Sequence, residues 1–365
     1  MNSFGTLKKE EQINLDIRRL YELYGYEKYR MNKFEEYSFY LQNKNFLEND
    51  RYITFNDPDG RLMALKPDVT LSIVKNADCK GTERIYYSES IFRTRKGTNE
   101  FAELKQTGLE YIGSIDKCAT AEVLSLALDT LNILSPDFVL SVSHMGVINA
   151  MLQGIESYSL RRGIISCIKG KNRHELERLC RDAALDDALT RRLVGLAGIR
   201  GPFGEGVAAL EKTVDDPQGD MALALKELKE INNVFKDTEY YTRLQLDFSD
   251  LSSTEYYNGI VLSGFIQGVS SAVLSGGRYD HLLSRMGKNA QAMGFAVNFC
   301  HMEQMLRSPQ QSQCTDIIYD DVTDAAYMCS LMRELTAKGI RVRAVRKGEE
   351  TGDGIDITGS RRYQG

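Results

Sequence analysis

The sequence predicts an α+β fold organised on an antiparallel sheet, and three features lead to that class. Short runs rich in Tyr, Phe and Ile, separated by turn residues, fill the stretch from Tyr26 to about residue 113. Strand-like patterns return after residue 240, and helical periodicity dominates residues 146–236 between them. Neither GxGxxG after a strand nor GxxxxGKS/T occurs, so the parallel-sheet nucleotide folds lack their usual signal.

Residues 9–24 open the chain as an amphipathic helix with Ile13, Ile17, Leu20, Leu23 and Tyr24 on one face, stopped by Gly25. Asp57-Pro58-Asp59-Gly60 and Lys96-Gly97-Thr98-Asn99 read as turns between antiparallel strands. Residues 67–77 read as a helix entered at Pro67, with Asp68 where a carboxylate suits the helix dipole. A helix at 117–133 and a strand at Phe138–Ser143 follow. The span of about 146–236 reads as a helical insertion, broken at Gly201-Pro202-Phe203-Gly204. Strands are expected at 240–248, 255–267 and 269–275, then a helix from near Tyr279. A last strand, Ala292–Phe299, runs into a helix. Beyond the polar break at Ser308–Gln313, residues 315–345 give a strand–helix–strand unit, and the last twenty residues carry little pattern. The expected domains are a core at 1–308 and a truncated α/β unit at 314–365.

Acidic residues outnumber basic ones by 51 to 46, a net charge of −5, and the pI is about 5.6. That balance argues against a mainly electrostatic nucleic-acid binder, which needs clustered Lys and Arg to displace counterions. A chain with 42% hydrophobic and 27% charged residues has the apolar surface to fold, and its apolar runs are too short for a membrane span. MNSFGTLKKEEQ does not read as a signal peptide. Seven scattered cysteines, an odd number without a CxxC pair, read as free thiols in a reducing cytosol, and a cytoplasmic protein is expected. Four histidines offer no HExxH or multi-His site, so neither a metal nor another cofactor is expected.

The window most suited to chemistry is Glu83–Gly113. As a hairpin, its first strand sends Ile91, Arg93 and Arg95 to one face, and its second sends Gln106, Gly108 and Glu110 to one face. An amide, a bare backbone position and a carboxylate in a row can floor a small polar ligand, with Gly108 supplying room; a plain solvent-facing strand has the same pattern. Through Leu251–Gly268, alternation puts Glu255, Tyr257 and Gly259 on one face and Tyr256 and Asn258 on the other. Leu274–Asp280 ends a strand in paired glycines, which permit close approach of a ligand or a simple strand-to-helix turn. His301 reads as a structural or surface residue.

Leu65-Lys66-Pro67-Asp68-Val69-Thr70, the Phe92–Gly113 hairpin, Glu255-Tyr256-Tyr257-Asn258, Ser275-Gly276-Gly277-Arg278-Tyr279-Asp280 and Gly294-Phe295-Ala296 occur in the order seen in histidyl-tRNA synthetases. From about residue 6 to 306 the chain resembles the class II synthetase core of that branch. The resemblance implies an antiparallel sheet flanked by helices, a helical insertion and a homodimeric core. It also implies a histidine pocket. Asp68 and Thr70 would meet the amino group, and Arg93 the carboxylate or α-phosphate. Gln106, Glu110 and Tyr257 would reach the imidazole side beside Tyr256, and Gly276 and Gly277 would close the cavity.

The departures from the synthetase pattern concern the nucleotide side. Ser252 stands where the pattern has an arginine, and His301 replaces the arginine of the last class II motif. The hairpin loop is one residue short and carries Glu100, Arg95 stands where a glutamate is usual, and the motif-one proline is replaced near Asn32. Asp68 is one methylene shorter than the usual glutamate. Loss of one preorganised donor typically costs about 3–4 kcal/mol in transition-state stabilisation. A histidine pocket without its nucleotide clamps resembles the regulatory subunit of ATP phosphoribosyltransferase. That family implies a short-form catalytic partner chain, a non-catalytic role here and L-histidine as effector. A histidyl-tRNA ligase, or another class II-like amino-acid-binding protein, is the alternative; the short tail and acidic balance make tRNA an unexpected partner.

Overall fold

The first helix, α1 (Lys9–Leu23), buries Ile13, Ile17 and Tyr21. Tyr21 lies one turn beyond Ile17 and takes the place expected of Tyr24, so Leu23 and Tyr24 face outward at 76% and 42% exposure. Gly25, at φ +80°, ends the helix. The computed structural model describes residues 8–47, 52–94, 100–214, 219–249, 256–306, 314–349 and 354–360.

After β1 (Glu27–Lys28) come β2 (Phe34–Glu36), α2 (Tyr37–Gln42), β3 (Thr54–Asn56) and β4 (Leu62–Leu65), the strands forming a small sheet in the order β2-β4-β3. The Asp57–Gly60 turn joins β3 to β4, with Asp57 Oδ1 accepting from the amides of Asp59 and Arg61 at 3.0 and 2.8 Å. The helix expected from Pro67 begins later, as α3 (Thr70–Asn76), because Asp68 Oδ1 accepts from the Leu71 amide at 2.8 Å and caps the first turn from outside. The hairpin β5 (Glu83–Thr94) and β6 (Phe101–Gly113) follows; Arg95 and the Lys96–Asn99 turn lie outside the described residues.

Helix α4 (Lys117–Leu134), capped by Asp116, leads to β7 (Phe138–His144). The insertion then comprises α5 (Met145–Met151), α6 (Tyr158–Lys169), α7 (Arg173–Asp182), α8 (Asp187–Leu196), β8 (Arg200–Pro202), α9 (Phe203–Thr213) and α10 (Gly219–Phe235). The break expected at Gly201–Gly204 is a strand, since β8 pairs antiparallel with β9 (Leu244–Asp247) before α9 starts. β10 (Ile260–Ile266), β11 (Leu274–Arg278), α11 (Asp280–Arg285), β12 (Gln291–Asn298), a 3-10 turn at Phe299–Met302 and α12 (Glu303–Leu306) complete this part.

Two expected strands are displaced. The one read from 255 begins at Ile260, because Asn258 turns to bond the β11–α11 junction instead of a ladder. The one read at 269–275 becomes Leu274–Arg278, because a turn around Gly268, at φ +84°, occupies the start.

Among the described residues the main sheet has nine strands in the order β1-β5-β6-β12-β11-β10-β7-β9-β8. Its central pairings are antiparallel; β1 with β5 and β7 with β9 are parallel. One face sends Tyr86, Leu109 and Phe295 into a core with Tyr21 of α1 and Val123 and Leu131 of α4. The opposite face sends Tyr87, Ile91, Ile112 and Ala292 against Val69, Leu71 and Ile73 around α3 and against Leu282 and Leu283 of α11. The site lies on this second face.

The chain divides into two compact units, Met1–Leu306 and Arg307–Gly365. In the second, β13 (Thr315–Tyr319), α13 (Ala325–Ala337), β14 (Val342–Arg346) and β15 (Gly354–Asp356) form a parallel sheet in the order β14-β13-β15. The third strand lies in the last twenty residues, where the sequence carries little pattern. Gly354 permits it, since a Cβ there would lie 2.6 Å from the Asp316 carbonyl. The cysteines are free thiols. Among the described residues no helix is long and apolar enough to cross a membrane.

Candidate functional site

Strand period and register place Glu110 at the centre of the site. Cross-strand pairing aligns Ile85, Glu110, Gly294 and Gly277 in one row, so their side-chain positions share a face. Glu110 is 2% exposed. Its Oε1 accepts from the Thr70 hydroxyl at 2.7 Å, and its Oε2 accepts from the Tyr279 hydroxyl at 2.6 Å. Burial pushes its pKa up to about 8; the two hydrogen bonds pull down and the nearby Asp68 charge pushes up. The fold therefore sets a carboxyl group to exchange a proton near neutral pH.

The glycines beside it are space for specific neighbours. A Cβ on Gly294 would lie 1.8 Å from Glu110 Oε2, and one on Gly277 would lie 2.8 Å from the Tyr257 ring. Gly276 is one residue out of phase and faces the other side of the sheet, where Phe295 fills its place. It does not close the cavity with Gly277, because alternation separates adjacent residues. Gly108 likewise corrects an expectation: the Tyr87 hydroxyl and the β12 backbone occupy the room attributed to a ligand.

Tyr256 and Tyr257, expected on opposite faces, stand together. Their ring centroids are 4.8 Å apart, and Tyr256 lies 5.7 Å from the Tyr279 ring. Thr70 also lies beside the Tyr256 hydroxyl, and burial raises both the Tyr256 and Tyr279 hydroxyls well above their ordinary pKa. Irregular backbone at 256–259 makes this possible. Asn258 Nδ2 donates to Asp280 Oδ2 at 3.2 Å, and the Asp280 amide donates to Asn258 Oδ1 at 2.8 Å. Glu255 and Ser252 lie outside the described residues.

Arg93 of β5 approaches from the α3 side. Its Nε donates to the Pro67 carbonyl at 2.7 Å, and its Nη2 lies 3.4 Å from Asp68 Oδ2. Gln106 sits four residues from Glu110 on the same face of β6, its Nε2 donating to Asn298 Oδ1 at 2.6 Å. Four residues along a strand span about 13 Å. Gln106 and Glu110 are thus suited to opposite ends of a ligand rather than to one ring.

Arg278 ties the site to the insertion. Its Nε donates to Asp280 Oδ2 at 2.8 Å, and its Nη1 to Glu227 Oε1 of α10 at 3.3 Å. Glu227 Oε2 lies 2.9 Å from His144 Nε2, and His144 Nδ1 accepts from the Gly146 amide, so the proton resides on Nε2. Burial alone would raise Glu227, but the His144 bond and Arg278 hold it below the ordinary value. His301 is turned to the Ala272 carbonyl, 2.7 Å from its Nδ1. Among the described residues no three His, Cys, Asp or Glu side chains gather as a metal would require.

Asp68, Thr70, Arg93, Glu110, Tyr256 and Tyr257 are gathered by the fold, with Gly277 under Tyr257. Tyr279 and Asn298 have no site role in the sequence reading, and Asn258 enters it only as a face-mate of Tyr256 within the Glu255–Asn258 segment. Tyr279 was legible, two residues beyond Gly277 in the quoted Ser275–Asp280 segment.

A family model described as Histidyl-tRNA synthetase matches residues 5–302. The chain belongs to the histidyl-tRNA synthetase family. Within that family it is similar to a curated protein named ATP phosphoribosyltransferase regulatory subunit from Bacillus cereus (strain AH187), 24% identical over 311 residues, 83% of this chain and 73% of that one. A solved structure described as an ATP phosphoribosyltransferase regulatory subunit/histidyl-tRNA synthetase from Bacillus halodurans C matches with a TM-score of 0.78 at 22% identity, covering 98% of this chain and 97% of that chain. A chain of the ATP phosphoribosyl transferase (HisG:HisZ) complex from Thermotoga maritima gives 0.61 at 17% identity, covering 79% and 96%. The fold is the class II synthetase fold of this family.

Proposed function

We propose that the chain is a non-catalytic regulatory subunit of ATP phosphoribosyltransferase in histidine biosynthesis, that it acts in the cytoplasm, and that it binds L-histidine in the Glu110 cavity. The relatives' names support the class of function. The observation that carries the ligand is the network of Thr70, Glu110, Tyr256 and Tyr279, which presents a buried carboxyl and phenols to a small polar molecule. An imidazole has two nitrogens to satisfy, and an apolar cavity would leave them unpaired. In this reading Arg93 would meet the carboxylate, Asp68 and Thr70 the ammonium group, and Gln106 the far end of the ligand.

Synthesis of an aminoacyl-adenylate needs cations aimed at phosphate. His301, bonded to the Ala272 carbonyl, stands where the synthetase pattern has an arginine. Imidazole is a poor substitute for a guanidinium, which is always charged and binds phosphate with two parallel donors. The reading includes a homodimeric core and association with a short catalytic phosphoribosyltransferase chain. Histidine bound here would change that partner's affinity, and the partner would change histidine affinity by the same factor.

Calorimetry with L-histidine on the chain, alone and with the partner, tests the ligand; absence of heat in both overturns it. Histidine-dependent ATP–pyrophosphate exchange tests the alternative, a histidyl-tRNA ligase. Turnover at rates typical of synthetases would replace the regulatory reading.

A further inference from the structure

Charge is distributed unevenly along this acidic chain. Residues 158–200 hold ten Lys and Arg against five Asp and Glu, a local +5 that leaves −10 on the remainder. This segment carries α6, α7 and α8. Between α7 and α8 opens a cavity of about 760 Å³ lined by Arg173, Arg181 and Arg191, with Leu185 and Val194 as its apolar wall.

Ordinary structural roles do not account for the three arginines together. Arg178, on the same helix, is paired with Glu175 at 2.6 Å and with Asp182 at 3.3 Å. No ion pair or side-chain hydrogen bond occupies the guanidinium groups of Arg173, Arg181 and Arg191 among the described residues. Arg181 in the last turn of α7 suits the helix dipole, but Arg173 opens that helix, where a cation is disfavoured. Arg173 is nonetheless given a seat: a Cβ on Gly198 would lie 1.6 Å from its Nη2, so glycine there leaves the guanidinium room against the backbone. The fold thus accommodates an arginine that its own helix does not favour.

We propose that the face between α7 and α8 docks an acidic segment of a protein partner, carboxylates meeting the three guanidinium groups and an apolar side chain meeting Leu185 and Val194. Guanidinium–carboxylate pairs are the strongest and most directional of the charged hydrogen bonds. A protein segment fits better than a nucleic acid because the lining mixes cations with Glu177, Asp187 and an apolar wall, whereas a phosphate backbone is served by an unbroken positive track. The docking chemistry stands apart from the proposed function; only the partner's identity, the catalytic chain, rests on it.

The test uses the full chain and a fluorescein-labelled twelve-residue peptide of alternating Glu and Leu, followed by anisotropy at 50 and 300 mM NaCl. Binding is expected at low salt, at least tenfold weaker at high salt. It is expected to be lost in R173E/R181E/R191E and weakened at least fivefold in the milder R181Q/R191Q, whose retained fold is checked by its melting curve. Reversal of Arg161 and Arg162, outside the cavity, should change affinity less than twofold. Equal binding by R181Q/R191Q and wild type, no binding by wild type, or tighter binding of a twelve-nucleotide DNA would each overturn the proposal. A chain that binds the peptide through these arginines yet never associates with the phosphoribosyltransferase chain would remove the regulatory reading and leave the docking face standing.

Discussion

Around Glu110, charged and phenolic side chains are bonded to groups of their own fold, whereas between α7 and α8 three guanidinium groups line a cavity with no such partner among the described residues. The first arrangement is preorganised: Thr70, Tyr279 and Asp68 are in place before a small molecule arrives, so little ordering remains to be done on binding. The second leaves its charges for something outside. Buried polar groups must be satisfied internally because desolvation is costly, and surface arginines need not be, since water serves them well. One chain thereby holds a site that selects by shape and proton position, and a face that selects by charge.

The largest expected effects fall on Glu110. Glu110→Gln should weaken L-histidine roughly 5–100-fold by calorimetry, because the amide NH2 replaces one of the oxygens that accept from Thr70 and Tyr279 and leaves a buried hydroxyl unpaired, a cost of about 1–3 kcal/mol. Unchanged affinity would separate this cavity from histidine altogether. The folded protein keeps the Glu110 proton up to about pH 8, while an unfolded glutamate releases it near the ordinary value of 4.5. The native state therefore holds more protons across that window, and stability should fall as pH rises through it. Melting curves from pH 5 to pH 8 should show the decline in wild type and a flatter profile in Glu110→Gln.

Next in size is Gly294→Ala, whose added methyl meets Glu110 Oε2 and the Leu109 carbonyl. It should cost about 1–3 kcal/mol in denaturant unfolding. Tyr279→Phe, which removes the donor to Glu110 Oε2, should cost about 1–2 kcal/mol and weaken histidine as well. At the other end, Arg181→Gln and Arg191→Gln should each leave unfolding within about 0.5 kcal/mol of wild type, because neither guanidinium holds the fold. A larger loss would show that the groove's charges are structural and erase the contrast.

Much of this is legible in the sequence. Period-two alternation through Gln106, Gly108 and Glu110 put the carboxylate on the correct face, and ordered motifs identified the fold. What failed was finer. Alternation separates Tyr256 from Tyr257, but there Asn258 bonds Asp280 and the backbone leaves the ladder, so both rings reach one side. The paired glycines Gly276 and Gly277 read as a unit in the motif, although adjacent strand residues point oppositely. Helical periodicity puts Leu23 and Tyr24 on the face of Ile13 and Ile17, where Tyr21 is the residue buried, because several apolar residues on one helix leave its buried stripe ambiguous by a fraction of a turn. The Arg278–Glu227–His144 chain joins residues far apart in sequence and had no local pattern to announce it.

Strand β8 gives the insertion a second attachment. The helices leave the sheet after β7 and would hang from two adjacent connections were it not for Arg200–Pro202, which returns to the outer edge and pairs with β9. Excising residues 146–236 would thus unzip a rim, baring the amides and carbonyls of Leu244–Asp247 as a template for chain-to-chain stacking. It follows that a trimmed version of this protein has to keep the strap or replace it, and that any push on the helical lobe is felt as shear along that margin.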